Sequence, residues 1–269
     1  MKVAIVAIAK WENNYIREFV SHYKKLGADK VIIGDNNEVN GERFDEVLKD
    51  FISEEFVVIK DYRGKIKQQS TFYTNVYREY SDKFDWIGFF DCDEFLHLTQ
   101  HKNIQDFLTD SRYDKFKVIR INWKCYGDNG LIRVENNDYS LQKRFTVPVD
   151  KNVRAGGVFA NKNSKTFIRG NLGDITINVH GNYSIKECCN DKGELIENKW
   201  CTDGLSWDVA YIKHYNTKTI EEWLKKMKRG YPDKNYNNKN MLSIDRFFLY
   251  NKKTPEKLKF IANNLNNKK

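Results

Sequence analysis

The chain has 269 residues, 40% of them hydrophobic and 31% charged, with five cysteines, three prolines and a formal net charge of +9. That apolar content excludes a disordered chain, the length suffices for one large α/β domain or two small ones, and no apolar run approaches the ~18 residues of a membrane span. The cysteines (Cys92, Cys125, Cys188, Cys189, Cys201) are odd in number and form no CxxC pair, which argues against a disulfide framework or zinc ribbon and for a reduced, cytoplasmic protein.

The elements follow in chain order. Residues 2–9 (KVAIVAIA) form a continuous apolar run, as expected of a strand buried on both faces. Tyr15, Ile16, Phe19, Val20, Tyr23 and Leu26 then form a helical stripe that Gly27 can end. Residues 30–34 read as a second strand, 44–51 as a helix, 56–59 as a third strand, 68–80 as a helix and 85–90 as a fourth strand. This rhythm predicts a doubly wound, nucleotide-binding type of sheet. Beyond it, 116–123, 145–148, 165–169 and 176–180 look like short added strands. Residues 184–206 look like a polar loop or lid, 210–214 like a last strand and 220–229 like an amphipathic helix. No Walker loop or G-x-G-x-x-G occurs, which argues against a P-loop NTPase or a dinucleotide dehydrogenase. The opening MKVAIVAIAKWENNY lacks the pattern of a secretory signal.

The charge is unevenly placed. Residues 213–269 hold 15 Lys/Arg and 5 Asp/Glu, a net +10, whereas residues 1–212 hold 31 and 32. The body is therefore electrostatically ordinary, which argues against a nucleic-acid groove. The basic end carries Phe247, Phe248, Leu249 and Tyr250 among its lysines, and is expected to rest on an anionic membrane surface; a solvated tail is the plain alternative.

The most informative segment is WIGFFDCDEF, residues 86–95, in which an apolar strand runs into Asp91-Cys92-Asp93-Glu94. Ligands of open α/β sheets bind beyond the carboxyl ends of strands. In extended backbone Asp91 and Asp93 would share one side and Cys92 the other. Two such carboxylates call for a cation between them, and oxygen donors suit Mg²⁺ or Mn²⁺, which can bridge a diphosphate.

Together with other blocks, this segment resembles GT-A-fold glycosyltransferases, specifically glycosyltransferase family 92 and related bacterial members of family 2. The blocks are KWENNYIREFVSHYKKLGADKVIIGDNN, Gln69 with Tyr73, WIGFFDCDEF, Trp123-Lys124-Cys125-Tyr126-Gly127, and His214-Tyr215 with Lys218, Glu222, Lys226 and Arg229-Gly230. They cover residues from about 5 to about 231. The 184–206 loop has no counterpart in that pattern, and Asp128-Asn129 stands where small Ser-like residues are common. The resemblance implies an α/β GT-A (Rossmann-like) fold, mainly parallel with added antiparallel strands and a C-terminal helical tail. The expected division is residues 1–231 as the transferase domain, with donor-binding and acceptor halves meeting near residue 100, and 232–269 as the basic tail.

The implied reaction moves a hexose, galactose-type by the group's precedent, from a UDP-sugar to a glycan or lipid-linked glycan. Inversion is favoured, and the setting is bacterial surface polysaccharide synthesis, in the cytoplasm or peripherally on the inner face of the plasma membrane. Asp93 is the leading metal ligand, with Asp91 on the metal or the donor ribose. The group's pattern adds a distant histidine, His214 first and His180 second, although either could be a hydrogen-bonded structural residue. Lys218, Lys226 and Arg229 could clamp the donor phosphates or form a solvated basic face. Ala9, Lys10 and Glu12 would lie under the nucleotide, Asp35 would hold its base or ribose, and Gln69 would touch the donor or start its helix. Candidate general bases are Asp128, Glu94 and Asp208. Trp123, Tyr126, Trp200 and Trp207 could form an aromatic platform. The competing readings are a nucleotidyltransferase that forms the nucleotide sugar, for which the glycine-rich signature near the first strand is missing, and a nucleic-acid binder acting through the basic tail.

Overall fold

The computed structural model describes residues 1–155, 157–230 and 242–266. Its first half runs β1 (Val3–Ala9), α1 (Asn13–Lys25), β2 (Lys30–Asp35), α2 (Phe44–Val47), α3 (Lys49–Ser53), β3 (Val57–Asp61), α4 (Gln69–Tyr80) and β4 (Trp86–Phe89). Alternation across β1 explains its burial on both faces. Val3, Ile5, Ala7 and Ala9 enter one core cluster with Ile16, Phe19, Val20 and Tyr23 of α1. Ala4 and Val6 enter the opposite cluster with Phe72, Tyr73, Val76 and Tyr77 of α4. Gly27, at φ +96°, ends α1 as its position suggested.

The second half continues with β5 (Glu94–Leu98), α5 (Ile104–Leu108), β6 (Val118–Cys125), α6 (Leu141–Arg144), β7 (Arg154–Ala155), β8 (Val158–Phe159), β9 (Ser164–Arg169), β10 (Cys188–Cys189), β11 (Ala210–His214), α7 (Ile220–Arg229), α8 (Ile244–Tyr250) and α9 (Pro255–Asn266). Among the described residues the main sheet has the order β3-β2-β1-β4-β9-β6-β11-β5, with β10 beside β6. β3, β2, β1 and β4 are parallel; β9 is antiparallel to both β4 and β6, and β5 is antiparallel to β11. This is the α/β, mainly parallel architecture that the sequence predicts, with antiparallel strands added.

Three local expectations change. The helix expected over 44–51 is broken at Leu48 into α2 and α3. Residues 145–148 and 176–180 are not strands: they contribute isolated bridges, Tyr126 to Pro148 and Asn178 to Gly181. Gly181 at φ +105° makes the second a tight reversal rather than a strand end. Finally, β5 follows β4 almost at once. The chain turns at Asp91-Cys92-Asp93, where the Glu94 amide donates to the Asp91 carbonyl at 2.9 Å, so the alternation argument does not apply to this turn.

The C-terminal helices pack onto the body. Phe247 and Ile261 join Ile220 and Trp223 in one cluster, and Trp223 Nε1 donates to the Ser243 carbonyl at 3.0 Å. Phe247 and Tyr250, two of the four residues expected to meet a membrane, are buried, Phe247 against the apolar face of α7 and Tyr250 against Cys125, Ala155 and Ala160. Lys257 is buried as well, in an ion pair with Asp128. The boundary expected at 231/232 lies outside the described residues. Among those that are described, no helix is long and apolar enough to cross a membrane.

Candidate active site

Register gathers the site at the carboxyl ends of β1, β2 and β4. Ala9 pairs with Asp35, and the Phe90 amide donates to Val6, which brings the acidic turn beside the β1–α1 loop. On the far side His214, the last residue of β11, is paired in the sheet with Glu94. Cys92 is buried in the core.

The two aspartates of the turn face different partners. Asp91 Oδ1 accepts from Gln69 Nε2 at 2.9 Å, and Asp91 Oδ2 lies 2.8 Å from Lys165 Nζ. Tyr73 OH also approaches Asp91 Oδ1, at 3.4 Å. Asp93 instead faces α7 and β11. Its Oδ2 is 3.5 Å from Lys226 Nζ and 3.9 Å from Lys218 Nζ, and its Oδ1 is 3.7 Å from His214 Nε2. Burial alone would raise the Asp93 carboxyl, but Lys226, Lys218 and His214 outweigh it and hold the group well below the ordinary carboxylate range. Glu94 shows the opposite balance: complete burial pushes it well above its ordinary value, with Lys165, 3.6 Å away, pulling against.

Helix α7 delivers the cations and is firmly seated. Thr219 and Glu222 form a reciprocal capping box at its start. Glu222 also takes both terminal nitrogens of Arg144, at 2.8 and 2.9 Å, and the Tyr15 hydroxyl at 2.6 Å. Lys226 and Arg229, one turn apart, then reach the site together. Arg229 donates to the Lys10 carbonyl at 2.6 Å and to Glu12 at 2.8 Å, bolting the helix end to the β1–α1 loop. Lys218 adopts φ 53°, a strained value for a side-chain-bearing residue, and sets its ammonium 3.5 Å from Glu12 and 4.4 Å over the Tyr15 ring. Burial, with Lys218 and Arg229 close by, lowers Lys226 to about 8 against the pull of Asp93.

The other expected residues fall as follows. Both oxygens of Asp35 accept hydrogen bonds from the chain, from Asn37 and the Phe44 amide, so the carboxylate shapes the β2–α2 loop. Lys10 pairs with Glu38 at 2.7 Å. His180 is half-buried, bonds the Ser164 carbonyl through Nδ1 at 3.1 Å and lies beside Trp123, not against Asp93. Asp128 lies apart from the acidic turn: it pairs with Lys257, its amide donates to Asn251 at 2.6 Å, and its Oδ1 accepts from Gly130 at 2.9 Å. Turn geometry and the docking of α9 account for it, so the expected base is engaged elsewhere. Asp208 precedes β11, at the opposite end from His214.

Lys165 escaped the sequence reading. It sits in β9 with no exposed side-chain surface, between Asp91 and Glu94. The available signal was its phase: Lys165 and Phe167 share a face of a strand whose Phe167 is fully buried. A lysine there demands an internal carboxylate.

Among the described residues no group of three or more His, Cys, Asp or Glu is arranged to hold a metal ion. The residues nevertheless fit a divalent ion completed by a ligand. Mg²⁺ is ordinarily held by one or two carboxylates plus substrate phosphates and water. Asp93 Oδ1 and His214 Nε2 face each other at a separation too long for a hydrogen bond. Burial lowers His214 to about 4, which keeps the imidazole in its neutral, metal-binding form. The adjoining Glu12 Oε2 and Glu94 Oε1 are buried without hydrogen-bond partners.

The mainly parallel α/β sheet, with an acidic turn after its fourth strand overhung by two lysines, an arginine and a histidine, has its candidate site where ligands of open α/β sheets bind, beyond the carboxyl ends of the strands. The sequence matches the family model of glycosyltransferase family 92 over residues 5–252, and the chain belongs to that family. Curated relatives include a glycosyltransferase family 92 protein of Ricinus communis, 24% identical over 135 residues, which are 49% of this chain and 24% of that protein. One of Arabidopsis thaliana is 28% identical over 136 residues, 47% of this chain and 23% of its own. The match thus spans about a quarter of the length of these relatives. Among solved structures, residues 1–349 of Staphylococcus aureus TarS in complex with UDP are similar at 13% identity and TM-score 0.47, over 80% of this chain and 60% of that one.

Proposed function

We propose that this family 92 member transfers a hexose, of galactose type, from a UDP-sugar to a hydroxyl of a glycan or lipid-linked glycan, with inversion and with Mn²⁺ or Mg²⁺, in the assembly of a surface polysaccharide. The observation that carries the donor reading is the Asp93 carboxylate, ionised and enclosed by Lys226, Lys218 and His214 without a hydrogen bond from any of the three. Such a carboxylate suits a divalent ion, and the lysines around it suit a diphosphate.

Asp93 and His214 would hold the divalent ion, which when bound neutralises charge on the departing diphosphate. The chain's own groups do the rest. Lys226 and Lys218 place positive charge where the diphosphate oxygens would lie, and Arg229 keeps both close to the β1–α1 loop. Asp91, fixed by Gln69 and Lys165 yet a third exposed, keeps an edge for the donor ribose. Neither Asp128, paired with Lys257, nor the fully buried Glu94 offers a solvent-facing carboxylate to take the acceptor proton.

The test is hydrolysis of a panel of nucleotide sugars with Mn²⁺ present. Release of UDP from UDP-galactose above the other donors is expected. Release of pyrophosphate from a nucleoside triphosphate instead would support the nucleotidyltransferase reading, and inactivity on every UDP-sugar would refute the proposal.

A further inference from the structure

We infer that the face formed by β6, β9 and the 184–206 loop is an acceptor subsite, and that it takes the apolar face of a neutral pyranose ring. This rests on the donor reading above. Four rings form a row leading outward from the acidic turn. His214 and Trp123 have ring centroids 4.1 Å apart, Trp123 and His180 5.8 Å, and His180 and Trp200 6.5 Å. The row begins at the histidine that faces Asp93 and ends at Trp200, which is 42% exposed.

Trp200 is held, not loose. Its carbonyl accepts from the Ser164 amide at 3.3 Å, its neighbour Cys201 bridges to Asn163, and the Thr202 amide donates to Lys162 at 2.9 Å. Deeper in the same loop, Asn198 accepts from the fully buried Arg120 of β6 at 2.8 Å. A tryptophan on a fixed backbone, with only two side-chain torsions, presents a large amphipathic surface at little cost in conformational entropy.

A second observation concerns polar edges. Trp123 Nε1 and His214 Nδ1 are buried and have no hydrogen-bond partner. Buried donors of this kind are normally satisfied, by protein, water or ligand. A row of aromatic faces punctuated by unpartnered ring nitrogens suits a molecule with an apolar C–H face and a rim of hydroxyls, which is a pyranose.

Topology gives the row its role. β9 and β6 lie on the opposite side of β4 from β1 and β2, whose ends carry Glu12 and Asp35. The row is therefore across the acidic turn from the expected nucleotide side, with Asp93 and His214 between. The lysines beside it are paired, Lys165 with Asp91 and Lys199 with Glu197 and Asp203, which favours a neutral ligand.

The experiment uses the full chain with Mn²⁺ and saturating UDP. Neutral β-linked galacto-, gluco- and xylo-oligosaccharides are titrated one at a time by calorimetry, against wild type, Trp200→Ala and Trp200→Phe. Wild type is expected to bind at least one series. Trp200→Ala should weaken that binding by about tenfold or more, and Trp200→Phe should restore most of it, with UDP affinity unchanged in both. Equal glycan binding by Trp200→Ala, or a parallel loss of UDP affinity, would overturn the inference. Wild type that binds UDP but none of these sugars would overturn it too. Wild type that does not bind UDP would refute the donor reading, and this inference with it.

Discussion

Replacing Lys165 with methionine keeps most of the side-chain volume and removes one buried charge. The ammonium has no exposed surface and lies 2.8 Å from Asp91 and 3.6 Å from Glu94. Without it, Asp91 loses the ammonium that pairs with it, though being a third exposed it recovers some hydration, while Glu94, already raised by burial, is pushed further towards its protonated form. Removing one partner of a buried pair costs about 3–5 kcal/mol, and the partial exposure of Asp91 places this case near about 3 kcal/mol. For a chain of this size the melting temperature should fall by about 6–12 °C. Adding Asp91→Asn removes the unpaired charge and should recover at least about half of the loss. Urea and thermal unfolding at pH 7.5 measure both. A Lys165→Met protein within about 1 kcal/mol of wild type, or no recovery in the double variant, would refute the reasoning.

Acid should destabilise the metal-free protein well above the carboxylate range. Burial lowers His22, His180 and His214 to about 4 each, so between their ordinary value and about 4 the unfolded chain binds more protons and stability falls as pH falls. His97, also lowered by burial, adds to this and Glu94, raised by burial, opposes it; with four histidines against one carboxyl the urea midpoint in EDTA should be lower at pH 5 than at pH 7, and equal midpoints would contradict it. Lys226→Met should weaken UDP binding about 10–150-fold, the loss of a charge-assisted contact. Wild-type UDP affinity should decline as pH rises through about 8, where free Lys226 loses its proton, and the variant should lack that decline in calorimetry. Truncation after Gly230 removes Phe247 and Ile261 from the α7 cluster and Lys257 from Asp128, and should cost more than about 4 kcal/mol; an equally stable truncated chain would mean that the C-terminal helices are a free tail after all.

The parallel half of the sheet was legible because apolar runs such as VAIVAIA have few other places to go, and because α1 and α7 carry clean amphipathic stripes. Asp93 could be named because it directly follows an apolar strand, and His214, Lys226 and Arg229 because they fall in blocks that resemble the family 92 pattern. What periodicity could not show was the turn at Asp91-Cys92-Asp93. Local sequence is compatible with extended backbone there, and only the immediate start of β5, paired with distant β11, requires the reversal. Asp128 misled because a carboxylate in a turn looks the same whether it faces a substrate or, as here, a lysine about 130 residues away. Lys165 was missed for the mirror-image reason: its partners lie 74 and 71 positions earlier in the chain. The basic C-terminal end was expected on a membrane surface from its aromatic residues among lysines, yet Phe247 and Phe248 pack in the cluster on α7 and Tyr250 in another.

The central claim is that Asp93, with His214 and the lysines of the α7 region, holds a nucleoside diphosphate through a divalent ion. Calorimetry of UDP against wild type and Asp93→Ala, each with Mn²⁺ and again with EDTA, tests it most directly. The account predicts that wild type binds UDP with Mn²⁺ and loses it in EDTA, and that Asp93→Ala binds in neither; an unchanged UDP affinity in EDTA would contradict it.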